Sequence, residues 1–203
     1  MSAPNDEPIT TVRRTTSTTG VPAQMRTRAD ASVVMRRPLG DRVALLFPRI
    51  LPLALRIALR LRAGSAARRR ALAYGLRGAF AAINRRDFDV VLLGMEPEAE
   101  IEFRGVEATG IAPSYHGHDG FRAFWAEWLR DWEQVSHGIT AVIDLGDRIV
   151  IRVWGHHLAP KSGLWEDSDS GYLFEFRDGR VKRVVVWYQW WDAVKALGLD
   201  ESD

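Results

Sequence analysis

Apolar positions along the chain change period several times, and each change marks an element. Over residues 65–86, Leu72, Leu76, Ala79, Phe80 and Ile83 recur at three- and four-residue steps, with Ser65 placed as an N-cap, which predicts a helix. A short helix over 88–93 follows, capped by Asp87, and residues 99–104 alternate like a half-buried strand. Residues 105–117, with Pro113 among them, read as a loop. Phe121, Phe124, Trp125, Trp128, Leu129 and Trp132 share one side of a helix predicted over 119–134. Strand-like runs then cover 138–145, 148–158, 164–177 and 181–191, the last preceded by Asp178-Gly179, a tight-hairpin signature. A final helix over 192–197 ends at Gly198. Strands clustered after helices predict an α+β fold in which one curved, mostly antiparallel sheet carries helices on its concave face. That face must be filled by side chains or by a ligand.

The region before residue 65 follows other rules. Residues 1–31 are Thr, Ser, Pro and Arg with almost no large apolar side chain, and are expected to be a disordered tail. Their Arg-rich, acid-poor composition is also that of a transit peptide, but a plain tail, or a true start at Met25 or Met35, fits better, and a secretory signal is excluded for want of an apolar core. The apolar run 43–61 has the length of a membrane span but contains Arg49, Arg56, Arg60 and two prolines. Arginines near mid-span cost about 2.5–3.5 kcal/mol each, so spanning is rejected. Arg42, Arg49, Arg56 and Arg60 are expected on one helical stripe opposite Leu46, Ile50, Leu53, Ile57 and Leu61. Such a helix would either lie on an anionic membrane surface or pack its apolar stripe on the following domain, and packing is the preferred reading. Pro48 and Pro52 argue for a broken helix or two short ones. The expected divisions are therefore a tail (1–31), a basic amphipathic extension (32–64), a folded domain (65–199) and a short C-terminal tail (200–203).

Charge sharpens this division. The net charge of +2 over 203 residues hides 14 basic against 4 acidic side chains in residues 1–70, and 14 against 22 in residues 71–203. An acidic body without a groove-binding motif argues against a nucleic-acid partner. The absence of cysteine excludes disulfides, thiolate metal sites and a cysteine nucleophile.

Ala81-Ala82-Ile83-Asn84-Arg85-Arg86-Asp87-Phe88-Asp89 resembles the junction of the first two helices in SnoaL-like proteins of the NTF2-like superfamily. Gly117-His118-Asp119-Gly120-Phe121 resembles the start of that family's next helix, Phe176-Arg177-Asp178-Gly179-Arg180-Val181 its penultimate hairpin, and Asp192 to Leu199 its closing segment. The resemblance covers about residues 70–199. It implies a cone-shaped α+β barrel, often homodimeric through the open face of the sheet, with an apolar pocket between sheet and helices. It does not imply one reaction, because the fold hosts enzymes and binders alike. In the register of ketosteroid-isomerase-like members, the catalytic positions fall near Ala79, Phe103 and Tyr172, and only Tyr172 has a usable group.

The remaining candidates are acid–base residues. His116, His118 and Asp119 form the densest polar cluster, with Tyr172 and Tyr188 as donors, suited to cofactor-free cyclisation, isomerisation or dehydration. The plainer reading makes Asp119 a helix cap and both histidines solvated loop residues. Among His156 and His157, alternation sends one inward and the other outward. A metal site is not expected, and no cofactor is implied. The ligand pocket is expected to involve Phe80, Phe103, Trp125, Trp128, Trp154, His156 and Trp190, a Trp-rich lining for a small cyclic or aromatic molecule. A non-catalytic ligand-binding or dimerisation module with a basic interaction helix is the alternative. Expected partners are a small molecule and a second copy, with peripheral membrane contact disfavoured and a cytoplasmic location.

Overall fold

Residues 37–105, 110–160 and 162–199 are described by a computed structural model of the chain. They belong to a unit spanning Val33–Asp203, and the two expected tails, 1–31 and 200–203, lie outside the described residues. The elements are α1 (Leu39–Leu46), α2 (Ile50–Arg60), α3 (Ala66–Asn84), α4 (Phe88–Leu92), β1 (Met95–Arg104), β2 (Ser114–His116), α5 (Gly117–Trp128), β3 (Gln134–Asp144), β4 (Arg148–Leu158), β5 (Trp165–Arg177), β6 (Arg180–Trp187) and α6 (Trp190–Leu197).

The predicted elements form, and their ends move for identifiable reasons. Ser65 caps α3 by accepting the Arg68 N–H at 3.2 Å. Asp87, in contrast, makes no side-chain cap on α4, because its carboxylate is taken by Arg37 at 2.7 and 2.9 Å. β1 starts before its alternating stretch, and its pairing with β6 is irregular between Met95 and Glu100, so periodicity alone misses its first half. Part of the expected loop pairs with β1 as β2. Trp190 and Trp191 belong to α6 rather than to the last strand.

The strands lie in the order β2-β1-β6-β5-β4-β3, with β1 and β6 parallel and every other pair antiparallel. The sheet is curved and unclosed, with β2 and β3 at its edges. Alternation gives it two apolar faces. Ile149, Ile151 and Val153 of β4, Phe174 of β5 and Val184 and Val186 of β6 pack under Leu72 and Phe80 of α3 and Phe121, Phe124 and Trp125 of α5. On the other face Val150, Leu173, Val185 and Trp187 are covered by Trp190, Ala193 and Val194 of α6. Gly171 permits that close approach: a Cβ there would meet the Ala193 Cβ at 2.4 Å. The β5–β6 turn places Asp178 at φ 50° and Gly179 at φ 80°, the double left-handed geometry of a tight hairpin.

Helix α2 corrects an expectation. Pro52 and Ala58 are buried and Leu55 and Leu59 pack on the core, whereas Leu46, Ile50, Leu53, Ile57 and Leu61, the stripe expected to pack, face water. The helix is apolar over two stripes, and the arginines run between them rather than opposite one of them. Packing selected the stripe that sits over the β5–β6 hairpin, where the Pro52 carbonyl leaves no room for a Cβ at Gly179.

Helix α3 is tied to the edge strand β3 at both ends. At its start, buried Arg68 pairs with buried Asp144 at 2.9 Å and donates to the carbonyls of Leu59, Leu61 and Gly146, while Asp144 accepts the N–H groups of Gly64 and Gly146. At its end, Asn84 and the main chain of His137 exchange two hydrogen bonds of 2.8 Å. The spans match: Arg68 to Asn84 covers about 24 Å of helix, and His137 to Asp144 about 23 Å of strand. Asp144→Ala, which strands the Arg68 charge, is expected to cost about 3–5 kcal/mol, read as a lowered urea midpoint, with Asp147→Ala on the exposed turn near neutral.

Candidate functional site

Two imidazoles meet beneath the helices at the β3–β4 edge of the sheet. His137 and His157 are buried, with 8% and 2% of their surface exposed, and their Nε2 atoms are 3.2 Å apart. The local sequence explains the contact. His157 shares the inward phase of Ile149, Ile151 and Val153. Position 155, opposite His137, is glycine, and a Cβ there would lie 2.7 Å from the His157 Nε2 and 2.3 Å from the Ser168 Oγ. The Asn84 clamp fixes the His137 main chain, giving a structural role to the asparagine of the helix-junction motif.

Aromatic rings enclose the pair. Trp128 and Trp132 lie 5.6 and 4.9 Å from the His157 ring, and Trp125 and Phe80 lie 6.0 and 6.3 Å from His137. Tyr172 meets Phe80 edge-on at 5.6 Å. Burial holds His137 down at about 3, with the neighbouring His157 adding to the effect. Burial likewise lowers His157 to about 4, helped by His156 and opposed by Asp167. Burial raises the Tyr172 phenol. Both histidines are therefore neutral at pH 7, and one Nε2–H must donate to the other Nε2. A proton taken up at the outer nitrogen of one ring can then be released from the outer nitrogen of the other, which is acid–base capacity in an apolar setting. Among the described residues, His137 Nδ1 and the indole nitrogens of Trp125 and Trp128 are buried without a hydrogen-bond partner, and the Tyr172 hydroxyl makes no hydrogen bond.

The expected site residues are dispersed. His116 is exposed, bonded to Glu98 at 2.9 Å, and lines an open groove of about 510 Å³ with Glu100, Glu102 and Arg183. It sits on β2, at the edge of the sheet opposite β3, so His116 does not converge with the buried pair. His118 has a buried Nε2 without a partner, and Asp119 is exposed in the first turn of α5. Tyr188 is half-buried at the margin of the main core, and burial raises its phenol. Phe80, Phe103, Trp125 and Trp128 do pack on the concave face with Tyr172. Trp154 and His156 share the opposite phase of β4, and His156 bonds Asp167 at 2.5 Å while stacking on Trp165 at 4.2 Å. Trp190 fills the cluster under α6. Sequence reasoning passes over His137 altogether and prefers His156 to His157. The phase of Ile149, Ile151 and Val153 was the available signal for the second.

Residues 76–184, more than half of the chain, match the family model of the SnoaL-like domain. The chain belongs to the SnoaL-like family. This SnoaL-like protein is similar in structure to TerC, co-crystallised with polyporic acid, at 24% identity over 60% of this chain and 91% of that one, with a TM-score of 0.50. It is also similar to an NTF2-like protein of unknown function from Burkholderia pseudomallei K96243, at 21% identity over 59% of this chain and 92% of that one, with a TM-score of 0.52. At these identities the likeness concerns the fold. No curated protein matches the chain.

The depressed histidines predict a pH signature for the SnoaL-like protein. With folded values of about 3 and 4 against an ordinary 6.5, the unfolded chain binds more protons as the pH falls below 6.5. Stability is therefore complete above 6.5 and is lost progressively down to about pH 3. Urea midpoints measured across this window should fall, and His137→Gln should flatten the slope.

Proposed function

We propose that this SnoaL-like protein binds a small, apolar, cyclic or aromatic molecule against the concave face of its sheet, with His137, His157 and Tyr172 as polar contacts. One observation carries the reading: the His137 Nδ1 and the indole N–H groups of Trp125 and Trp128 are buried without partners, beside the His137–His157 contact and the Tyr172 phenol. Each unpaired buried polar group costs about 1–3 kcal/mol, so a cluster of them is better explained by a ligand or water that completes their bonds. Large flat rings beside a few donors suit a planar organic molecule. The co-crystallisation of TerC with polyporic acid makes that compound a reasonable first one to test.

If the molecule is turned over, the chemistry is cofactor-free proton transfer. The His137–His157 pair would act as base and acid, and Tyr172 would donate to developing negative charge on an oxygen. Ligand entry passes the half-buried Trp128 and Trp132, which stand over His157. A homodimer through the open face of the sheet, where Trp154, His156 and Trp165 lie, belongs to the same reading.

Tryptophan fluorescence titrated with a panel of planar aromatic acids should show saturable quenching. His157→Gln and Tyr172→Phe should each weaken it by about tenfold, roughly one charge-neutral hydrogen bond in an apolar site. The double substitution His116→Ala, His118→Ala should leave it unchanged. The opposite pattern, loss only when His116 and His118 are replaced, would move the site to the β2 groove.

A further inference from the structure

Helices α1 and α2 hold a row of aliphatic and aromatic side chains in water. Leu39, Leu46, Phe47, Leu53 and Ile57 are all more than half exposed, from 56% at Ile57 to 77% at Leu39. Single exposed apolar residues are ordinary, but an exposed apolar stripe on each of two successive helices is not. At 100° per residue, Ile50, Leu53 and Ile57 fall within about 60° of one another on α2, as do Leu39, Val43 and Leu46 on α1. The row is not a packing failure, because the other side of α2, through Pro52, Leu55, Ala58 and Leu59, is seated on the core.

Charge selects what covers it. Arg42, Arg49, Arg56 and Arg60 accompany the row, and Asp41 is the one carboxylate in residues 39–62. Asp41 is committed to Arg85, and Arg56 reaches Asp178 at 3.7 Å, while Arg42, Arg49 and Arg60 have no acidic partner among the described residues. A second copy docked on this face would set arginine against arginine without a carboxylate to answer it. An anionic lipid surface answers both features at once: aliphatic side chains enter the acyl boundary while guanidinium groups on long stems stay at headgroup depth. The row stands outward and carries no polar group but arginine, which suits a fluid bilayer better than a shaped protein groove. Among the described residues no helix is long and apolar enough to cross a membrane, so the contact is peripheral. We infer that α1 and α2 form a docking face for anionic bilayers, holding the SnoaL-like domain at a membrane surface.

The test is flotation of the full-length chain with vesicles of equal phosphatidylglycerol and phosphatidylcholine, and with phosphatidylcholine alone. The chain should partition to the anionic vesicles and not to the neutral ones. The pair Leu53→Glu, Ile57→Glu should reduce partitioning roughly tenfold, and Arg49→Gln, Arg60→Gln by several-fold, with the effect of salt diminished in the second pair. All four positions are exposed, and unchanged urea midpoints would verify folding. No partitioning of the parent chain overturns the inference. So does partitioning that neither pair alters, which would assign the attraction to other basic residues, or a concentration-dependent dimer that Leu53→Glu, Ile57→Glu abolishes, which would assign the face to a second copy.

Discussion

The seating of one helix along one edge strand governs the rest of this molecule. Helix α3 is pinned to β3 by the buried Arg68–Asp144 pair at one end and by the Asn84 amide on the His137 main chain at the other. An apolar interface alone would let the helix slide, because dispersion and hydrophobic contacts are non-directional. Two polar attachments whose spacing agrees along helix and strand remove that freedom. They set how deep the concave face is and hold His137 directly under the helix end. Buried polar pairs are poor sources of net stability, but they specify register.

With that depth fixed, the two apolar faces of the sheet acquire different tasks. The concave face takes the aromatic rows of α3 and α5 together with the imidazole pair. The convex face is closed in part by α6, whose Trp190 anchors a separate cluster. On the concave side the indole nitrogens of Trp125 and Trp128 and the His137 Nδ1 are buried without partners. Low polarity around the histidines keeps both neutral, and neutrality makes an Nε2 to Nε2 hydrogen bond possible. Stability, protonation state and candidate chemistry thus share one cause, the exclusion of water from this face.

The division of charge found in the sequence also gains a physical setting. The basic extension is not merely an appendage to an acidic body, for half of α2 is built into the core over the β5–β6 hairpin. Its other half presents apolar side chains beside Arg49 and Arg60, which have no acidic partner among the described residues. A helix can serve both purposes only because its sequence, Ile-Leu-Pro-Leu-Ala-Leu-Arg-Ile-Ala-Leu-Arg, is apolar on two sides.

Much of the fold was legible in the residues themselves. Period, turn chemistry and caps located α3, α5, β4, the Asp178-Gly179 hairpin and the Gly198 stop, and the motif at Asn84 and Asp87 indicated the family. Periodicity reports the phase of one residue relative to the next, however, and not which phase meets a partner. Whether His156 or His157 turns inward, whether Trp190 belongs to the pocket, and which stripe of α2 is buried all depend on groups distant in sequence. His137 carried no local signal at all: its environment comes from Asn84, Phe80, Trp125 and His157, brought together by strand pairing and helix seating. The sequence by itself determined the elements, their order and the residue types available for chemistry. Tertiary structure decided which of those residues lost their water, because burial is a property of the assembled faces and not of any one element.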